Sequence, residues 1–323
     1  MEMKGLWLED QHLSYRDDLA KPEPNPGEAL IKTRLAGVCA TDLEMRRGYY
    51  PFTGVPGHEF VGEVESAPGY EGWEGKRVVG EINLVCGTCE ACRAGRKHHC
   101  KNRSVLGILE KDGVLAEYFT LPVANLHVAP ETVSDEAAVF TEPLAAALEI
   151  QEQVQIKPGM RVLVVGAGRL GLLIAQTLRL TGCDLAVVVR REAQAKLLAE
   201  WGILAVDSRT VRSKSADLVV EVTGSPSGFS MARAAVRPGG TLVMKSTFAG
   251  DVSLNLSTLV VDEVTLVGSR CGPFNPALRL LAMGLVDTKP LVSERFELSE
   301  GLEAFEKANE RGVVKVLVEP GNL

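Results

Sequence analysis

Residues 161–171 read Arg-Val-Leu-Val-Val-Gly-Ala-Gly-Arg-Leu-Gly. Arg161–Val165 is a buried strand by its near-continuous apolar run. The glycines follow as Gly166-x-Gly168-x-x-Gly171, and Leu170–Leu180 carries apolar residues at helical spacing. Strand, glycine turn and helix in that order give the pattern its meaning. The glycines let the backbone turn tightly and approach a pyrophosphate, which the amides at the helix start, beginning with Arg169 and Leu170, then hold. A second strand, Leu185–Arg190, completes a βαβ unit. Further strands at Asp217–Val222, Thr241–Lys245 and Val264–Gly268, with a helix at Ser227–Ala235, extend it into an α/β, doubly wound parallel sheet. Only ten residues separate Val206 from Asp217. That is too few for a crossover helix with its loops, so the sheet is expected to be trimmed on that side.

Outward from this unit the pattern changes. Residues 1 to about 140 carry short alternating or β-branched runs, Glu28–Leu35, Glu59–Glu65, Arg77–Val79 and Ala116–Leu121, broken by Pro22, Pro24, Pro26, Gly69 and Gly75. This half is mostly β. After the parallel sheet come a helix at Pro276–Gly284, a strand at Arg295–Leu298, a helix at Glu300–Glu310 and a strand at Val313–Glu319, a tail expected to rejoin the first half. The expected domains are 1–143 with 271–323, and 144–270 for the dinucleotide.

Composition narrows the function classes. The chain has 323 residues, 46% of them hydrophobic and 24% charged, and a formal charge of −7. That length suits two domains, and the acidic balance argues against a nucleic-acid surface or a basic membrane-binding helix. No apolar stretch reaches transmembrane length, and Met1 runs straight into a strand-like segment, so a cytoplasmic protein is expected.

Four of the seven cysteines, Cys86, Cys89, Cys92 and Cys100, form Cys-x2-Cys-x2-Cys-x7-Cys. One short loop at this spacing wraps four thiolates around a tetrahedral Zn²⁺, whose charge keeps them ionised beside like neighbours. A second set is upstream. Cys39, His58, Glu59 and Asp42 offer a thiolate, an imidazole and two carboxylates, the donor set of a catalytic zinc, and Glu142 in Thr141-Glu142-Pro143 adds a third carboxylate. Two zinc ions per chain are therefore expected. At the end of the second βαβ strand, where an NAD site places Asp or Glu, this chain has Arg190 and Arg191. Guanidinium forks bind a 2′-phosphate bidentately, so NADP(H) is expected to be preferred, with NAD(H) possible. Three more strand ends, carrying Thr223, Ser246–Thr247 and Gly268-Ser269-Arg270, are expected to face the cofactor.

The order Gly-x-Cys39-x-Thr41-Asp42, Gly-His58-Glu59, Cys lobe, Glu142-Pro, Gly-x-Gly-x-x-Gly resembles the zinc-containing medium-chain dehydrogenase/reductase superfamily over essentially the whole chain. Glu142, where other alcohol dehydrogenases carry a third metal-binding Cys, is similar to the sorbitol (polyol) dehydrogenase branch. The resemblance implies a GroES-like catalytic domain with a structural zinc lobe at 86–100, a Rossmann cofactor domain and a homodimer or homotetramer. It implies direct zinc ligation by Cys39 and His58. Glu59 is a ligand or swings in and out, and Glu142 is a ligand or holds the metal-bound water. Asp42 accepts the free N–H of His58. The implied activity is hydride transfer between NADP(H) and a small alcohol or polyol and its carbonyl, with Thr41 handling the proton. Relatives pass that proton on to a histidine five residues after the Cys ligand. Here Glu44 stands in that place, as a substitute base or with the relay drained differently. Two other functions fit fewer of these residues: NADPH-dependent reduction of a conjugated C=C or iminium bond, and a non-catalytic dinucleotide sensor.

Overall fold

Residues 1–247 and 251–321 are described by the computed structural model. The first unit is organised around the strand Glu28–Val38, which is buried along nearly its whole length, with Ala29, Ile31 and Leu35 among its core residues. It pairs antiparallel with Glu59–Ser66 along one edge. Along the other, Tyr118–Pro122 joins its first half and Lys315–Glu319 its end. Val292–Glu297, Arg77–Gly80 and Leu126–Val128 complete a seven-stranded sheet. Phe60 and Phe119 meet edge-to-face at 4.7 Å within its core, which also takes in Leu6, Leu8 and Phe305. This unit comprises Met1–Glu142, Phe274–Gly284 and Thr288–Leu323.

The second unit, Pro143–Pro273 with Leu285–Asp287, is a six-stranded parallel sheet. Its spatial order is Leu204–Asp207, Asp184–Val189, Arg161–Val165, Ala216–Glu221, Val236–Met244, Thr265–Gly268. Central residues such as Val164, Val187, Val219 and Val243 are fully buried, as a parallel sheet covered on both faces requires. Helices Arg169–Arg179, Glu192–Glu200 and Pro226–Ala235 connect the strands. Between Leu204–Asp207 and Ala216–Glu221 the only helical turn is the 3-10 turn Ser208–Thr210, so the crossover there has no α-helix. Two elements depart from the expected pattern. Strand Val236–Met244 begins five residues early, across Pro238-Gly239, with a register shift that absorbs them. Helix Thr141–Gln153 forms through Thr-Glu-Pro, because Pro143 lies in its first turn, where a missing N–H loses no helical bond.

Candidate active site

Strand register assembles the first cluster. Gly37 pairs with Glu59 in the antiparallel ladder, so the strand that ends at Val38 delivers Cys39 beside His58. Cys39 caps helix Ala40–Arg46, and Asp42 Oδ2 accepts its amide at 2.8 Å. The outcome is that Cys39 Sγ, a ring nitrogen of His58 and a carboxylate oxygen of Glu59 all lie within 4.8 Å of one another. Fully buried Asp42 sets Oδ1 3.2 Å from His58 Nδ1, outside hydrogen-bond geometry. Burial opposes charge on His58, yet Asp42 and then Cys39 outweigh it and hold the imidazole pKa well above its ordinary value. A buried pocket that draws positive charge and gathers sulfur, nitrogen and oxygen donors fits a zinc ion.

Lys315 lies against this cluster. Its Nζ forms a buried ion pair with Glu59 Oε2, the two side chains being 4% and 1% exposed, and stands 5.7 Å from the centre of the Phe140 ring. Sequence reading missed it, although a lone lysine in the apolar run Val313–Val318 was the signal. Thr41 Oγ1 is 3.9 Å from Cys39 Sγ. Glu44 instead pairs with Arg47, which also donates to Asn309 at 2.6 Å. Glu142, half-buried in the first turn of its helix, does not join the 4.8 Å cluster.

The cysteine lobe brings all four sulfurs within 4.8 Å of one another, with no disulfide among them. Measured pairs are 3.5 Å for Cys89–Cys92, 3.6 Å for Cys86–Cys100 and 3.9 Å for Cys89–Cys100. Four thiolates bonded to one zinc at about 2.3 Å stand about 3.8 Å apart, so the spacing is that of a tetrahedral metal site. Backbone amides of Thr88 and Cys89 bring the Cys86 thiol down to about 6, while burial and the neighbouring sulfurs push Cys92 up to about 12. A divalent ion resolves that conflict by stabilising every thiolate at once.

In the second unit a cavity of about 290 Å³ opens on the glycine turn, lined by Gly166, Ala167, Gly168, Arg190, Arg191 and Thr223 among others. A Cβ on Gly171 would stand 2.1 Å from Gly166 O, so packing of helix on turn demands glycine there. A Cβ on Gly168 would meet nothing within 4 Å. Its bareness answers to no contact of the chain itself and suits a backbone that a pyrophosphate approaches closely. Gln194 braces the turn by donating to Ala167 O. Thr223 and Ser246 sit together at adjacent strand ends, both donating to Glu221. Ser269 Oγ and Arg270 O accept from buried Lys245 at 3.1 and 2.6 Å. Thr247 is exposed.

A GroES-like β unit bearing two metal-donor clusters and a Rossmann unit bearing a glycine turn define an oxidoreductase of the zinc-type dehydrogenase class with a nicotinamide dinucleotide domain. Residues 25–131 match the alcohol dehydrogenase GroES-like domain and residues 170–283 the zinc-binding dehydrogenase domain. The chain belongs to the zinc-containing medium-chain dehydrogenase/reductase superfamily, and it is an alcohol dehydrogenase-type oxidoreductase. It is 31% identical to an L-threonine 3-dehydrogenase of Pyrococcus abyssi, over 90% of this chain and 89% of that one. It is 32% identical to a sorbitol dehydrogenase of Halalkalibacterium halodurans, over 93% and 94%. The crystal structure of a zinc-binding dehydrogenase from Sinorhizobium meliloti bound to NADP superposes with a TM-score of 0.92 at 29% identity, covering 99% of this chain and all of that one.

Proposed function

We propose that this chain is a zinc-dependent dehydrogenase moving a hydride between NADP(H) and a small alcohol or polyol and its carbonyl counterpart. The observation that carries it is the convergence of half-buried Cys39 with buried His58 and Glu59, their donor atoms all within 4.8 Å of one another. Cys39 and His58 hold the catalytic zinc, with Glu59 as a third donor or exchanging partner and Glu142 in reserve. The charge of Asp42, 3.2 Å from His58 Nδ1, favours a proton on that nitrogen, and Lys315 offsets the charge of Glu59. When bound, the zinc polarises the substrate oxygen and the nicotinamide carries the hydride. The Thr41 hydroxyl hydrogen-bonds the substrate oxygen, passing its own proton to it in reduction and taking the substrate's in oxidation, with the balance exchanged with solvent. Glu44 is tied to Arg47, which favours a structural carboxylate over a relay base, so Glu44→Gln is expected to leave the pH profile unaltered.

Cys86, Cys89, Cys92 and Cys100 hold a second, structural zinc, giving two per chain. Gly166, Gly168 and Gly171, with the amides of Arg169 and Leu170, hold the pyrophosphate, while Arg190 and Arg191 take the 2′-phosphate. The NADP found in the Sinorhizobium relative supports that preference. Thr223, Ser246, Thr247, Gly268, Ser269 and Arg270 serve the nicotinamide side. The unit Met1–Glu142, Phe274–Gly284 and Thr288–Leu323 acts as the catalytic domain, and Pro143–Pro273 with Leu285–Asp287 as the cofactor domain.

No helix among the described residues is long and apolar enough to cross a membrane. A reducing, cytoplasmic setting is part of the proposal, because cysteines that ligate metal must stay reduced. Homo-oligomerisation is supported by edge strand Thr265–Gly268 and neighbouring helix Leu256–Val261, where Leu256, Val260, Val261 and Leu266 are exposed. The test is a screen of alcohols, polyols, sugar acids, aldehydes and ketones by NADPH absorbance, run beside zinc quantification. Turnover of an alcohol–carbonyl pair at two zinc per chain is expected. A protein loaded with both metals that turns over none of these classes would refute the proposal.

A further inference from the structure

Glu221 ends the central strand Ala216–Glu221 and has no solvent exposure at all. Hydrogen bonds surround its carboxylate. Thr223 donates from its amide at 2.7 Å and its hydroxyl at 2.5 Å, and Ser246 Oγ donates at 2.7 Å. A carboxylate only accepts, so the protons of both hydroxyls are committed to it. Every other bond in the network then has a fixed direction. Ser246 Oγ accepts the Gly224 amide at 2.8 Å. Thr223 Oγ1 accepts from Ser225 Oγ at 2.8 Å, and Ser225 Oγ accepts the Gly228 amide at 3.1 Å, capping helix Pro226–Ala235. One buried carboxylate thus locks together the turns after two adjacent strands and orients their hydroxyls.

The sheet order says which part of a dinucleotide meets this wall. Arg190–Arg191 follow strand Asp184–Val189, the glycine turn follows Arg161–Val165, and Thr223 and Ser246 follow the next two strands over. Strands are about 4.8 Å apart. A ligand with its adenosine ribose at the arginines and its pyrophosphate at the glycine turn therefore presents its nicotinamide half to Thr223 and Ser246.

We propose that Glu221 is a positioning residue for the nicotinamide half of the cofactor, which rests on the dinucleotide reading above. By holding both hydroxyl protons inward, it leaves each oxygen one lone pair facing outward. The wall then accepts hydrogen bonds from the nicotinamide-side ribose hydroxyls or the carboxamide N–H and disfavours phosphate oxygens. Glutamine at 221 turns an N–H₂ toward one hydroxyl and reverses that polarity.

The test measures binding to the zinc-loaded protein, by fluorescence, of NADPH and of 2′,5′-ADP, which lacks the nicotinamide half. Glu221→Gln and Ser246→Ala are each expected to raise the NADPH Kd about tenfold with the 2′,5′-ADP Kd unchanged, and the double variant to be no worse than Glu221→Gln. Ser246→Ala leaves the carboxylate in place, so it decides the matter if Glu221→Gln fails to fold. An unchanged NADPH Kd, or equal losses for both ligands, would overturn the proposal. Wild-type protein that binds neither NADPH nor NADH would instead sink the dinucleotide reading itself.

Discussion

Lys315 and Glu59 lie 256 residues apart in sequence and share an ion pair that water does not reach. Removing one partner of such a pair leaves an uncompensated buried charge, which costs about 3–5 kcal/mol, whereas replacing both with apolar groups of similar volume is close to neutral. Lys315→Met is therefore expected to lower the unfolding free energy of the metal-free protein by that order, measured in urea. The double variant Lys315→Met/Glu59→Leu should recover most of the loss. A double-variant loss equal to the sum of the Lys315→Met and Glu59→Leu losses would show the pair to be energetically silent.

The two cysteine-containing clusters should separate under mutation. On the proposed structural zinc, Cys92→Ser removes a ligand, so one zinc equivalent is expected to be lost together with several degrees of thermal midpoint. Cys39→Ser should lose the other equivalent and all turnover with the fold intact, because the surrounding strands are held by their own ladder. Zinc released to a chromogenic chelator, read beside a melting curve, distinguishes them.

Local motifs were legible in the sequence and long-range charge pairing was not. The glycine turn and the cysteine loop each place every functional atom within a short segment, so spacing alone reveals them. Lys315 acquires its meaning only when strand Lys315–Glu319 pairs with the end of Glu28–Val38, beside which Glu59 already lies. Glu221 was read as a strand residue, and its role depends on Ser246, a full strand away. Helix Thr141–Gln153 went unread, its start hidden by Pro143, which sits in the first turn. The ion pair of Glu44 with Arg47 lies one helical turn along the chain, but no periodicity distinguishes a paired carboxylate from a relay base.

Cofactor choice should follow Arg190. A charge-assisted hydrogen bond to phosphate contributes about 1.5–3 kcal/mol, or roughly 10- to 100-fold in relative kcat/KM. Arg190→Asp is expected to shift the NADPH-to-NADH ratio of kcat/KM by at least that factor toward NADH, since the new carboxylate repels phosphate and accepts from a ribose hydroxyl. An unchanged ratio would assign the guanidinium to solvent.

Exposed apolar side chains on edge strand Thr265–Gly268 and helix Leu256–Val261 predict self-association. Charges placed there by Val260→Glu and Leu266→Lys should dissociate the assembly without altering zinc content. Sedimentation velocity reads the change, and a wild-type protein that is already monomeric would assign the patch to another role.

His58 sets opposite pH dependences for the metal-free and loaded proteins. Its folded-state pKa is raised because Asp42 and Cys39 outweigh burial. A group with a raised pKa contributes stability that is fully present below its unfolded value of about 6.5 and is lost as pH rises through the folded value. The metal-free protein should therefore lose stability relative to His58→Gln as pH climbs above about 6.5. On the proposed ligation by His58, zinc would compete with that proton for the imidazole, so its affinity should rise over the same interval and fall in acid. Melting curves of metal-free wild type and His58→Gln across pH 5.5–9, run beside zinc titrations at each pH, test both signs. Parallel trends in the two quantities would mean that His58 is not the shared binding atom, and the metal would then have to be held without the imidazole.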